Sequence, residues 1–238
     1  MSLEEIRKNK IEKIEKLKKA GVDPYPAISG RTHIAVEASE NFDKLSESKA
    51  ELTLAGRVMA RRDMGGAIFF DLRDASGKIQ GFIKEDIAGK EIFSNFFDLV
   101  DIGDFIEITG ILFKTKKEEK TLEVKDFKIL TKALLPLPEK WHGLQDIEDR
   151  LRLRYLDLIM DNEGRQMFVK KSRFWQAIRD FLIKEGGLEV ETPVLERIPG
   201  GADAEPFKTH LNALDIDLYL RISLELNLKR LIVGGFEK

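Results

Sequence analysis

A change in hydrophobic period between residues 52 and 132 constrains the fold of this chain more than any other feature. Five short runs in this region are rich in Ile, Val, Leu and Phe, as strands are. The runs are residues 52–61, 67–73, 78–84, 104–113 and 121–130. Between the third and the fourth run, the apolar residues of 90–100 recur at helical spacing. The sequence therefore predicts three strands, one helix and two further strands.

This order is that of a five-stranded OB-fold barrel. Residues 74–77, Asp-Ala-Ser-Gly, are typical of a hairpin turn between the second and third runs. Phe69 and Phe70 are adjacent on one predicted strand, so their rings point to opposite faces. One ring then fills the barrel, and the other, beside Arg61 and Arg62, is exposed for stacking on a nucleobase. The alternative is that neighbouring side chains cover both rings.

The flanking segments predict helices and a second domain. Residues 2–20 have the spacing of a surface helix, whose net charge of +3 favours either a solvated face or contact with phosphate. A stiff Leu-Pro-Leu-Pro connector at 135–138 divides the chain, so we predict domains at 1–51, 52–138 and 139–238.

Beyond the connector, the pattern predicts a mixture of helices and short strands, and hence an α+β fold with a β-barrel. The predicted helices are residues 147–158, 163–184 and 225–233, and the strands are 188–191, 207–211 and 218–222. The helix at 163–184 carries a broad apolar stripe.

Composition excludes several classes of protein. The chain has 40 basic and 42 acidic residues in 238, so no single-sign field marks a nucleic-acid surface, and shape must provide any recognition. The absence of cysteine excludes disulfides, thiolate catalysis and iron–sulfur clusters. Three scattered histidines, His33, His142 and His210, form no zinc motif. Without a long apolar run or a hydrophobic N-terminus, we expect a soluble, cytoplasmic protein with no membrane span.

Six stretches of the chain together resemble one family. Residues 141–146, Trp-His-Gly-Leu-Gln-Asp, and 152–158, Arg-Leu-Arg-Tyr-Leu-Asp-Leu, resemble the junction between the tRNA-binding and catalytic domains of class II lysyl-tRNA synthetases. Four further stretches extend the likeness. Residues 187–193 resemble the first class II motif, 198–202 the lysine-site loop, 218–238 the start of the second motif, and 56–81 the OB-fold domain.

The resemblance implies a reaction. Lysine and ATP condense to lysyl-adenylate, and the lysyl group then passes to tRNA(Lys). Such chemistry requires Mg²⁺ and arginine groups that hold the phosphates and offset developing charge. The family's magnesium ligands and phosphate-binding arginines are expected beyond Lys238. We therefore expect the start of a class II antiparallel α/β catalytic domain that is inactive alone.

The resemblance also assigns residues to the amino acid and to the dimer. Gly201 matches the glycine that approaches bound lysine, and Glu225 matches the glutamate that receives the lysine α-ammonium in a dry pocket. Arg221 is expected to brace this site. Pro193 matches a proline at the class II dimer interface, which implies a homodimer. Without the resemblance, Gly201 would be a turn residue, Glu225 a solvated helix-start glutamate and Pro193 a strand-ending proline.

Four further residues match family positions that read the anticodon. They are Arg62, Phe69, Gln80 and Glu119. In this assignment Phe69 stacks on an unpaired base, Gln80 and Glu119 bond to base edges, and Arg62 meets phosphate or a base face. A solvated charge run is the alternative for Glu119.

The sequence departs from the family at four positions, of which Glu205 is near the lysine-site loop. They are Leu188 and Asn227, where aromatic residues are usual, Leu224, where proline is common, and Glu205, where arginine is usual. Two other functions stay open: a non-catalytic tRNA-binding module, and the related aspartyl- or asparaginyl-tRNA synthetases.

Overall fold

The computed structural model describes residues 2–138 and 144–238 and divides the chain into two compact units, Met1–Leu156 and Asp157–Lys238. Trp141, His142 and Gly143, which begin the junction motif, lie outside the described residues. The predicted boundary after residue 138 adjoins the same gap, so the domain limits stay predictions.

The first unit begins with the predicted helix. Helix α1 spans Leu3–Lys19, and a capping box between Ser2 and Glu5 satisfies its first N–H groups. Its apolar residues Ile14 and Leu17 are buried, whereas most of its charged residues are exposed. Two helices that the sequence analysis did not predict follow, α2 at Ala35–Glu40 and α3 at Phe42–Glu47.

All five strands of the first unit were predicted, with ends that differ by two residues at most. The strands are β1 at Glu51–Asp63, β2 at Ala67–Arg73, β3 at Lys78–Lys84, β4 at Phe105–Lys114 and β5 at Lys120–Thr131. Between β3 and β4 lie a short helix, α4 at Glu85–Ala88, and the predicted helix, α5 at Lys90–Leu99. The predicted turn at 74–77 joins β2 to β3.

The five strands close into a ring in the order β1-β2-β3-β5-β4, with β4 paired back to β1. The β3–β5 pair is parallel, and the other four pairs are antiparallel. Register shifts in β1 at Val58/Ala60 and in the β4–β5 pair at Thr109/Gly110 add the local bending that closure needs. At Gly110 a Cβ would lie 1.9 Å from the Glu123 carbonyl oxygen, so only glycine fits.

Alternation of apolar residues along the strands builds most of the core of the first unit. Phe70 is fully buried and its ring centroid lies 4.9 Å from that of Phe96 on α5. Gly81 on the next strand makes room for this ring, since a Cβ there would lie 2.2 Å from Phe70 Cζ. Phe69 points to the opposite face and is half-buried. The prediction that the two rings face opposite ways is therefore confirmed.

The C-terminal part contains four helices and a small sheet. The helix predicted at 147–158 is divided at Leu153 into α6 and α7. The helices are α6 at Ile147–Arg152, α7 at Arg154–Met160, α8 at Asn162–Lys184 and α9 at Glu225–Val233. The strands are β6 at Leu195–Glu196, β7 at Lys208–Leu211 and β8 at Ile216–Leu220, in the antiparallel order β6-β8-β7.

The strand predicted at 188–191 is wrong. Pairing on this side of the sheet is limited to Leu195 with Leu220 and Glu196 with Tyr219. The backbone N–H of Leu188 instead donates to the Lys238 carbonyl oxygen at 3.1 Å. A strand needs a partner for its N–H and C=O groups, and the described residues place none beside 188–191.

Candidate functional site

Side chains of all five strands align in two rows on the outer face of the first unit's closed sheet. The strand register gives one row as Ala60, Asp71, Gln80, Thr121 and Phe113. It gives the second row as Arg62, Phe69, Phe82, Glu123 and Ile111. We call these two rows, with Glu119 beside them, the outer face. All four residues predicted to read an anticodon lie on it or at its edge.

Three phenylalanine rings form a ladder across the outer face. The ring centroids of Phe69 and Phe82 are 4.7 Å apart, and those of Phe82 and Phe113 are 5.7 Å apart. Each ring is half-buried. Because Phe82 packs against Phe69, the position of the Phe69 ring is set before any ligand arrives, and its remaining surface is open to stacking.

Gln80 is held in one orientation by two hydrogen bonds. Its Nε2 donates to Glu119 Oε2 at 3.0 Å, and its Oε1 accepts from Thr121 Oγ1 at 2.9 Å. An ionised carboxylate only accepts hydrogen bonds, so the amide nitrogen must be the atom that faces Glu119. The second N–H of Gln80 and the Oε1 atom of Glu119 are then a donor and an acceptor side by side.

Only one of the two arginines beside the Phe69 ring belongs to the outer face. Arg62 is directly across from Phe69 in the strand register, its side chain is half-exposed, and its Nη2 lies 3.8 Å from Asp71 Oδ1. Arg61 bonds to Asp63 and to the Val100 carbonyl oxygen and packs 5.1 Å from the Phe97 ring. Arg61 therefore has a structural role, which corrects the prediction that both arginines flank the ring.

The outer face is acidic, and lysines occur at its edge. Asp71, Glu119 and Glu123 accompany Arg62 on the face, and the turn that joins β4 to β5 carries Lys116 and Lys117 together with Glu118, all three exposed. Carboxylates repel phosphate and accept hydrogen bonds from N–H groups of bases. The arrangement suits base edges on the face and phosphates at the turn.

Sequence reasoning missed the polar and aromatic residues of the outer face other than the four predicted ones. They are Asp71, Phe82, Phe113, Thr121 and Glu123. Strand alternation could have predicted two of them, because residues two apart lie on the same face of a strand. Asp71 lies two residues after Phe69, and Phe82 lies two residues after Gln80. Phe113 and Thr121 come from β4 and β5, and their approach to Gln80 depends on the parallel pairing of β3 with β5.

Gly201 and Glu225, predicted to contact lysine, lie next to each other in the second unit. Gly201 has a φ of 87°, a conformation that favours glycine. A Cβ on it would lie 3.0 Å from Ser223 Oγ and 3.3 Å from Glu225 Cβ. Ser223 Oγ in turn accepts a hydrogen bond from the Glu225 N–H at the start of α9.

The environment of Glu225 differs from the dry pocket that was predicted. Its side chain is 49% exposed, and Lys229 Nζ, one helical turn later, donates to Glu225 Oε1. This hydrogen bond, supported by the charge of Lys229, lowers the pKa of Glu225. The described residues therefore present an ionised, accessible carboxylate at the start of a helix, and Lys229 is its present partner.

Arg221 braces a different segment from the one predicted. Its Nη1 donates to Thr192 O and Thr192 Oγ1, both at 2.7 Å, and to Pro193 O at 3.2 Å. The Arg221 backbone N–H also donates to Val194 O at 2.9 Å. Arg221 thus holds the stretch that contains Pro193, whose own side chain is exposed.

One departure from the family pattern has a partner. Asn227 on α9 is buried, and its Nδ2 donates to Glu196 Oε1 at 2.7 Å. The other Glu196 oxygen, Oε2, is buried without a hydrogen-bond partner among the described residues. Leu224 precedes α9 without a side-chain cap, and Leu188 and Glu205 are exposed.

Neither a metal centre nor a membrane segment occurs in the part of the chain that the structure describes. Within residues 2–138 and 144–238, no group of three or more acidic or histidine side chains is arranged to hold a metal ion. Over the same residues, the helices are too short or too polar to cross a membrane.

Both units match known families. Residues 52–130 match the OB-fold nucleic acid binding domain, and residues 146–238 match the tRNA synthetases of class II (D, K and N). The chain therefore belongs to the class II tRNA synthetase family.

Within this family the chain is similar to lysine–tRNA ligases. It is 50% identical over 236 residues to that of Carboxydothermus hydrogenoformans, 51% over 232 residues to that of Clostridium novyi and 48% over 242 residues to that of Dehalococcoides mccartyi. These alignments cover 99%, 97% and 100% of the chain but 48%, 45% and 48% of the relatives. The chain spans about half the length of the curated relatives it matches.

Proposed function

We propose that the chain is part of a lysine–tRNA ligase, which activates lysine with ATP to lysyl-adenylate and transfers the lysyl group to tRNA(Lys). The similarity to proteins of that name supports the reaction. The arrangement of Phe69, Gln80 and Glu119 supports a role for the first unit in binding an unpaired anticodon base. A cytoplasmic location follows from this proposal, because translation takes place there.

The outer face favours a particular class of base. The Gln80 N–H beside Glu119 Oε1 matches uracil, in which the O4 acceptor adjoins the N3–H donor, and the same order of groups occurs in guanine. Cytosine has an amino donor beside the N3 acceptor. In the orientation that matches uracil, its amino group would therefore face the Gln80 N–H, and its N3 acceptor would face Glu119 Oε1. Lysine codons have adenine in the middle, so their anticodons have a central uridine. Asp and Asn anticodons share this base, so the outer face alone does not distinguish the three enzymes.

The test of base stacking is the substitution Phe69→Ala in the chain. Loss of a stacked ring removes about 1–3 kcal/mol per base, so we expect the affinity for a tRNA(Lys) anticodon stem-loop to fall roughly 5- to 150-fold. Fluorescence anisotropy with a labelled stem-loop measures the change. Phe174→Ala, which removes an exposed ring of the second unit, is the matched control and should leave the affinity unchanged. Equal losses in both variants would contradict the proposed site.

For the lysine half-site we propose that Gly201 admits the amino acid and that Glu225 receives its α-ammonium. The ionised, accessible carboxylate supports this role, and the ligand ammonium would take the place of Lys229 Nζ as its partner. In the whole protein, lysine-dependent exchange of pyrophosphate into ATP measures activation. Glu225→Gln should raise the lysine requirement and leave stem-loop affinity unchanged. An unchanged lysine requirement would remove Glu225 from the site.

ATP and Mg²⁺ are part of the proposed reaction, but the described residues do not offer Mg²⁺ a set of ligands. A homodimer is also part of the proposal, with Pro193 at its interface, and the exposure of Pro193 on a segment held by Arg221 supports it. Sedimentation equilibrium of the whole protein with and without Pro193→Ala tests this association.

Two other functions predict different results in the same exchange assay. Dependence on aspartate or asparagine in place of lysine would indicate the related synthetases. Stem-loop binding by the whole protein, without amino-acid-dependent exchange, would indicate a non-catalytic tRNA-binding module. The same outer-face residues would bind the tRNA in such a module.

A further inference from the structure

We propose that Thr121 is a positioning residue for base recognition: its hydroxyl fixes the Gln80 amide and thereby sets the preference for uridine over cytidine. This inference rests on the proposed function of the outer face. Thr121 itself would not touch the base, because its side chain is fully buried beneath Gln80 and Glu119.

Thr121 lies within hydrogen-bond distance of both residues that would read the base edge. Its Oγ1 donates to Gln80 Oε1 at 2.9 Å and lies 3.1 Å from the Glu119 carbonyl oxygen. It is also the direct β5 partner of Gln80 in the parallel β3–β5 pair. A different residue holds the backbone of Glu119, since the Glu119 N–H donates to Thr115 Oγ1 at 3.1 Å. Thr121 is thus the point at which the Gln80 oxygen is satisfied.

The consequence of losing the hydroxyl follows from the burial of Gln80. The Gln80 residue is 6% exposed, so its Oε1 would be left without a donor and without water. The side chain would leave this geometry, and the N–H that faces a base acceptor would no longer be fixed. Stacking on Phe69 does not use this N–H, so binding should persist while discrimination between bases falls.

The experiment compares affinities of the chain for two anticodon stem-loops that differ only in uridine or cytidine at the central position. The quantity is the ratio of the two Kd values. We expect Thr121→Val, which is nearly isosteric but lacks the hydroxyl, to lower the preference for uridine about tenfold, as the loss of about 1.4 kcal/mol would. Thr121→Ser retains the hydroxyl and should keep the preference. Thr121→Ala provides a second hydroxyl deletion if Val disturbs packing.

A double substitution separates positioning from a general structural effect. If Thr121 acts through Gln80, the preference in Gln80→Ala should not change further when Thr121→Val is added. A further loss of the same size in the double variant would overturn the inference, as would an unchanged preference in both Thr121→Val and Thr121→Ala. Failure of the wild-type chain to bind either stem-loop, or to prefer uridine, would instead overturn the proposed function itself.

Discussion

The two units of the chain differ most in how they bury apolar side chains. In the first unit, a continuous core fills the closed sheet and extends to α1, α2, α3 and α5. Among the described residues of the second unit, Leu218 is the one large apolar side chain that is buried. The apolar stripe of α8 is present as predicted, but its residues are exposed. They include Phe168, Phe174, Ile178, Phe181 and Leu182.

Because of this difference, the outer face is more preorganised than the site at Gly201 and Glu225. The outer face lies on strands whose opposite sides pack into the core. Gln80 is hydrogen-bonded to both Glu119 and Thr121 on this face. Gly201 and Glu225 adjoin each other, but their surroundings are exposed. A site on a packed scaffold holds its geometry without the ligand, which favours discrimination between similar bases.

The largest expected effect is on the core of the first unit. Phe70→Ala removes a fully buried ring, so we expect the free energy of unfolding to fall by about 3–5 kcal/mol. Phe174→Ala, the same change at a ring that is 61% exposed in the second unit, should change it by less than about 0.5 kcal/mol. Urea denaturation followed by circular dichroism measures both. Comparable losses would mean that the two units are packed alike.

A smaller effect is expected where the β2–β3 turn supports α2. Asp74 Oδ2 accepts the Ala35 N–H at 2.9 Å, and Asp74 Oδ1 accepts the Ser76 and Gly77 N–H groups. Burial acts to raise the pKa of Asp74, but hydrogen bonds from Ser76, Ala35 and Gly77 outweigh it, and the pKa lies below its usual value. Replacing a capping carboxylate with alanine typically costs about 1 kcal/mol, which we expect for Asp74→Ala.

The pH dependence follows from the sign of this shift. A carboxyl group with a lowered pKa in the folded state stabilises fully above its unfolded pKa of about 3.9, and this contribution is lost as the pH falls through the folded value. The stability difference between wild type and Asp74→Asn should therefore shrink below about pH 4. Urea titrations at a series of pH values measure it. A difference that stays constant to low pH would show that the charge of Asp74 contributes nothing.

The smallest expected effect is at the exposed pair on α9. Lys229→Ala removes the hydrogen bond and the charge that lower the pKa of Glu225, so this pKa should rise toward its usual value with little change in Tm. Carboxyl ¹³C NMR titration of Glu225 measures the shift. Arg230→Ala, a change on the same helix, is the control and should leave the Glu225 pKa in place. A pKa unmoved by Lys229→Ala would mean that other residues hold this carboxylate.

The contrast between the units also explains how far the sequence could predict the structure. Alternating apolar residues and the Asp74–Gly77 turn predicted β1 to β5 because each strand has one face on the core. The short helices α2, α3 and α4 were missed, since segments of four to six residues carry little periodicity. The strand predicted at 188–191 failed because a local pattern does not supply a pairing partner.

The site residues show the same limit. Resemblance located Arg62, Phe69, Gln80 and Glu119, and the structure brings them together. The link through Thr121 depends on a parallel strand pair between distant segments, which no local pattern displays. The Glu225–Lys229 pair was readable as an i,i+4 spacing, whereas the attachment of Arg221 to Thr192 required the fold of the second unit.

An NMR titration of the isotopically labelled chain with a tRNA(Lys) anticodon stem-loop tests the account most directly. We expect the largest amide shifts at Phe69, Gln80, Glu119 and Thr121, with none in α8 or α9. Shifts concentrated in α8 and α9, or none at all under conditions where the stem-loop is in excess, would contradict it.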